Sequence, residues 1–82
     1  MCIALYSRVS LTADVPEHGL QRGDVGTLVD YVDHPRGKDK GCVLEIFNAV
    51  GESLGVVTVP LSSIGPLSPD EILSIRHYSK AI

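Results

Sequence analysis

The chain has 82 residues, 44% hydrophobic and 21% charged, with a formal net charge of -3. That balance excludes a disordered chain and fits one domain, near the size at which a single core only just suffices. The negative sign gives a phosphate backbone no long-range attraction to the chain as a whole.

One Phe, three Tyr and no Trp leave the core to Val, Leu and Ile, which favour strands. Residues 6–11 alternate, with Val9 and Leu11 on one face, and predict a first strand that starts as early as Ile3. Residues 12–22 read as a folded-back loop. Gly19 and Gly23 are its corners, because glycine takes positive φ without steric cost. Pro16 stiffens it, and Leu20 is expected to plug one end of the core.

Residues 24–33 are the second strand, with Val25, Thr27, Val29 and Tyr31 on one face and Leu28 and Val32 on the other. Two apolar faces predict a cover on the outside. Gly26 lies inside this strand, where a missing side chain permits close approach of another backbone. Residues 34–41 form a polar loop. The third strand, 42–49, points Cys42, Leu44 and Ile46 one way and Val43, Glu45 and Phe47 the other. Gly51, Glu52 and Ser53 turn the chain into a fourth strand, 54–59, which Pro60 ends. Residues 61–64 predict one tight helical turn before a last short strand at 65–67.

Ser68-Pro69-Asp70-Glu71 is a strong helix start. Ser68 supplies the cap oxygen, Pro69 takes the first helical position and Glu71 completes a capping box. The helix that follows carries Ile72, Leu73 and Ile75 on one side and Arg76 and His77 in its last turn. So short a helix is unstable alone. It is expected to pack on the second apolar face (Leu28, Val43, Phe47), or on a second copy or another subunit.

The segments V-S-L-T-A-D and P-E-H-G-L-Q-R-G-D-V-G-T-L-V, with the ending V-P-L-S-S-I-G-P-L, carry a family resemblance. Over residues 9–67 the chain resembles domain of unknown function 4926, a family of small bacterial proteins. Ile64 stands where that pattern has Leu. The resemblance implies an SH3-like barrel and brings no activity and no catalytic residues. The segment from Ser68 onward departs from the pattern.

Chemistry is thinly represented. Cys2, His18, His34, Cys42 and His77 are scattered, without the short spacings of metal sites. Cys42 alternates with Leu44 and Ile46 and reads as a small buried hydrophobe. The start M-C-I-A-L resembles that of the small hydrogenase-maturation chaperones, which would make Cys2 a metal-carrying thiolate. The Pro-Gly pair and basic residue of that family are absent, with Tyr6-Ser7-Arg8 in their place. No nucleophile elbow or acid pair has a local setting, so no catalytic, cofactor or metal residue is assigned and a non-enzyme is expected. The G-D-x-G-T turn resembles those of ribosome-associated barrels. However, Arg36, Lys38 and Lys40 share their loop with acids and no aromatic platform, which argues against nucleic acid.

The resulting expectation is an all-β protein. Residues 1–67 form a small SH3-like barrel of about five strands, and residues 68–82 a short C-terminal helix and tail. The expected role is a non-enzymatic protein-interaction module, an accessory or antidote-like partner of another bacterial protein. A Cys2-dependent metallochaperone and a weak nucleic-acid-binding barrel are the alternatives. The candidate partner surface is Asp14, Glu17, His18, Asp24, Phe47, Ile72, Ile75 and Tyr78. The acidic loop suggests a basic surface on the partner. A homodimer through an edge strand or the C-terminal helix is the other partner expectation. No apolar run approaches a membrane span and no signal-peptide pattern opens the chain, so a cytoplasmic site with reduced thiols is expected.

Overall fold

Runs of alternating β-branched residues, broken by Gly and Pro, leave this chain little choice but strands. The computed structural model describes residues 3–33 and 40–79. Within them lie β1 (Arg8–Leu11), β2 (Val25–Val32), β3 (Gly41–Phe47), β4 (Ser53–Pro60) and β5 (Ile64–Pro66). All pair antiparallel in one sheet of order β4-β3-β2-β1-β5. One-turn 3-10 segments interrupt the chain at Pro16–His18 and at Leu61–Ser63, the second of them where one tight turn is predicted.

Val9 and Leu11, Leu28, Cys42, Leu44 and Ile46, Val57 and Val59, and Ile64 are buried together. They come from all five strands and share one face of one sheet. No helix or second sheet among the described residues covers that face. The sheet therefore covers its own core by curling, which gives a barrel-like all-β fold. Val15 and Leu20 of the folded-back loop close one end, both buried and joined by reciprocal main-chain bonds of 2.9 and 3.1 Å. Gly19 and Gly23 are the loop's corners, at φ 69° and 94°. At Gly26 the strands come close enough that an added Cβ would sit 2.8 Å from Ile46 Cδ1.

Two expectations are corrected. In β2 the register shifts between Leu28 and Asp30, so Val29 is an extra residue. A bulge exchanges the two faces beyond it. Gly26 and Leu28 face the core before the bulge and Tyr31 packs on the core after it. The predicted grouping of Val25, Thr27, Val29 and Tyr31 on one face therefore fails, and Leu28 belongs to the interior rather than to an outer apolar face. Tyr31 is held by its hydroxyl, which accepts from Ile3 N–H at 3.0 Å and donates to Ile3 O.

The C-terminal helix is the larger correction. Only half of the capping box forms: Ser68 N–H donates to the Glu71 carboxylate at 2.6 Å, but Glu71 N–H donates to the Ser68 main-chain carbonyl at 3.1 Å, and Ser68 Oγ, expected to be the cap oxygen, donates to Asp70 instead. One turn forms, and no helix follows among residues 71–79. A single nucleated turn gains too little to propagate unless an apolar face is buried. Here Ile72 and Ile75 are 93% and 87% exposed. The outer face expected to receive them has lost Leu28 to the core, and Phe47 remains exposed. The loop 34–41, apart from Lys40 and Gly41, and Cys2 lie outside the described residues, as do the expectations that rest on them.

Candidate functional site

Beyond β5 the chain returns to the folded-back loop between β1 and β2. Arg76 is the main anchor. Its guanidinium forks onto Asp24, with Nε donating to one carboxylate oxygen at 2.9 Å and Nη2 donating to the other. The same Nη2 donates to Gly19 O at 3.1 Å. Two residues on, the Tyr78 hydroxyl donates to His18 O at 2.8 Å, and its ring packs against the core. The Arg76 guanidinium also lies over the Tyr78 ring, 5.8 Å from its centre, so the two anchors brace each other.

The loop is built to receive them. Gly19 in the left-handed conformation ends the first 3-10 turn, and its N–H bonds back to Pro16 O. That leaves the carbonyls of His18 and Gly19 available to the tail. Asp24 is fixed locally, its carboxylate accepting Gln21 N–H at 2.7 Å while its own N–H donates to Gln21 O. Asp14 accepts Arg22 N–H at 2.9 Å and pins the other side of the loop. Partial burial pushes the Asp24 carboxyl up. The Arg76 and Gln21 hydrogen bonds outweigh it and hold the group below its usual value.

The structure thus gathers Asp14, Glu17, His18, Asp24 and Tyr78 around one loop, with Ile72 and Ile75 on the segment anchored there. Phe47 stands apart, at the end of β3 opposite Ser53. The acidic character of the loop is partly spent internally, because Asp24 is neutralised by Arg76 rather than offered to a partner. Sequence reasoning placed Arg76 in a helical turn and missed it as an anchor. Its partner lies 52 residues away, and no local pattern marks so distant a pair. Between the tail and the sheet runs an open groove of about 370 Å³, lined by Leu11, Val25, Leu67 and Leu73 with Arg22 and Glu71.

Among the described residues, no three His, Cys, Asp or Glu side chains come together to hold a metal ion. Cys42 is wholly buried, and burial pushes its thiol up, so it stays protonated. No helix of the described residues is long and apolar enough to cross a membrane.

The model of a family described as a domain of unknown function (DUF4926) matches residues 5–66, about three quarters of the chain. The chain belongs to that family. No curated protein and no solved structure matches it. The family match holds the loop residues His18, Gly19 and Asp24, whereas their tail partners Arg76 and Tyr78 lie beyond its end. The docked tail of this domain of unknown function thus lies outside the matched residues.

Proposed function

We propose that this domain is a non-enzymatic protein-interaction module whose partner surface is the docked tail. The observation that carries the reading is the exposure of Ile72 and Ile75 on a segment held at both ends. The Ser68–Glu71 turn fixes its start, and Arg76 and Tyr78 fix its end. Burying an isoleucine side chain is worth roughly 1.5–3 kcal/mol, a gain this chain forgoes twice within four residues while ordering the backbone around them. A partner that covers both side chains recovers that gain on a backbone whose two ends are already held.

The net charge of -3 supports an accessory or antidote-like role toward a more basic protein. The one-sheet strand order, the folded-back loop and the 3-10 turn before β5 support an SH3-like arrangement, in which such loops flank binding grooves. The protonated, buried Cys42 suits a reducing, cytoplasmic setting.

The test is affinity purification from the native host with the wild-type chain and with the I72D/I75D variant, followed by reconstitution from purified components. Both side chains are exposed, so the variant keeps the wild-type unfolding midpoint. A partner that binds the wild type and not the variant supports the reading. Equal binding to both sinks it.

A further inference from the structure

The tail does not join the sheet. Among the described residues, no main-chain N–H or C=O of residues 72–79 bonds to the rest of the chain. Two side chains, Arg76 and Tyr78, hold it, and both reach into the folded-back loop as those of a bound peptide would. The loop keeps its shape by bonds of its own. Val15 and Leu20 exchange main-chain bonds, Gly19 turns back to Pro16, and Asp24 and Asp14 accept the N–H groups of Gln21 and Arg22. A receptor fixed in this way loses little freedom when a ligand arrives.

The loop selects by chemistry. Toward the tail it presents acceptors only, namely both Asp24 carboxylate oxygens, Gly19 O and His18 O. Two carboxylate oxygens side by side suit the planar fork of a guanidinium better than the single point of an ammonium. At the second residue beyond it, a ring packs on the core while its hydroxyl donates to His18 O at 2.8 Å. The residue between, His77, is exposed. The pattern recognised is therefore Arg-x-Tyr.

Upstream of Arg76 the tail is a poor fit. Leu73 is 54% exposed beside the open groove of about 370 Å³ that Leu11, Val25 and Leu67 line. A segment with a larger apolar side chain at that place gains contacts that the tail forgoes.

We propose that the loop is a binding site for an Arg-x-Tyr segment of a basic partner protein, and that the tail is a self-ligand occupying it in cis. A second copy is disfavoured, because it brings the same poorly fitting tail and a like charge of -3. A foreign segment competes with the tail at an effective concentration on the order of millimolar, so weak ligands are excluded and one that fills the groove displaces the tail. Displacement also frees the far end of the segment that carries Ile72 and Ile75, so binding at the loop opposes binding at the isoleucines. The loop site itself does not rest on the isoleucine reading.

The probe is a peptide of residues 70–79, titrated into the full chain and into R76A/Y78A. Binding is read from the amide resonances of His18, Gly19 and Asp24, with circular dichroism as the check on folding. The apparent dissociation constant for the wild type should exceed that for R76A/Y78A by the tail's effective concentration, roughly 1 mM. In R76A/Y78A, adding Asp24→Asn, or replacing the peptide's arginine with lysine, should weaken binding about fivefold, the ratio for about 1 kcal/mol of paired charge. A peptide with Leu73→Phe should bind more tightly than the parent peptide. In the wild type, saturating peptide should shift the Arg76 and Tyr78 resonances to those of a released tail, a readout that stands even if R76A/Y78A does not fold. I72D/I75D in the full chain should leave all of this unchanged, so the two readings can fail separately. The proposal is overturned by an absence of saturable binding up to about ten times the tail's effective concentration. Equal constants for the wild type and R76A/Y78A, indifference to Asp24 or to the peptide's arginine, or a Phe peptide that binds no tighter would each do the same.

Discussion

The tail stays docked only if Arg76 and Asp24 favour each other by more than thermal disorder costs, and a double-mutant cycle measures that preference directly. The perturbations are Arg76→Ala, Asp24→Asn and the pair together. Exposed ion pairs contribute roughly 0.2–1 kcal/mol after solvent screening. Here the side chains are 31% and 19% exposed and the guanidinium bonds both carboxylate oxygens, which places the pair at the upper end of that range. The expected coupling is about 1 kcal/mol, and Arg76→Ala alone should lower the melting midpoint by about 4–8 °C in a domain of this size. The cycle separates this from the Gln21 N–H bond, which Asp24→Asn also weakens. Urea unfolding of the four proteins supplies the numbers. The pH dependence has a definite sign. The carboxyl of Asp24 titrates lower folded than unfolded, so its stabilisation is complete above its ordinary 3.8 and is lost as pH falls through the depressed folded value. A coupling below about 0.3 kcal/mol at neutral pH, or one that persists unchanged in strong acid, would refute the account of the anchor.

Gly26→Ala should destabilise by roughly 1–3 kcal/mol, because the new Cβ meets Ile46 Cδ1 at 2.8 Å and has Leu44 and Glu45 O at 3.4 Å behind it. The terminal methyl can rotate, but Ile46 is itself buried; an unchanged urea midpoint would show that the β2–β3 approach does not require glycine. Leu20→Ala should cost roughly 2–5 kcal/mol by opening one end of the core while leaving the strands intact by circular dichroism. A loss under about 1 kcal/mol would mean that Val15 closes that end alone.

The sheet was readable from the chain because strand chemistry is local. Alternation at Val9 and Leu11 and at Cys42, Leu44 and Ile46 marks which side chains go inside, and Gly19, Gly23 and Pro60 mark corners and ends. The bulge at Val29 was not readable, since a two-residue period continues through it in sequence and only the pairing with β3 fixes where the register slips. The tail shows the same division. Glu71 does reach back to Ser68 N–H as the spacing encodes, but the Ser68 hydroxyl turns to Asp70, and a helix also needs a surface to bury its isoleucines against. Whether that surface exists was decided by Leu28 turning inward and by Arg76 finding Asp24 across 52 residues. Short-range chemistry thus specified the strands and turns of this protein by itself. The position of the tail, and with it the exposed isoleucines, came only from contacts between residues that the sequence keeps far apart.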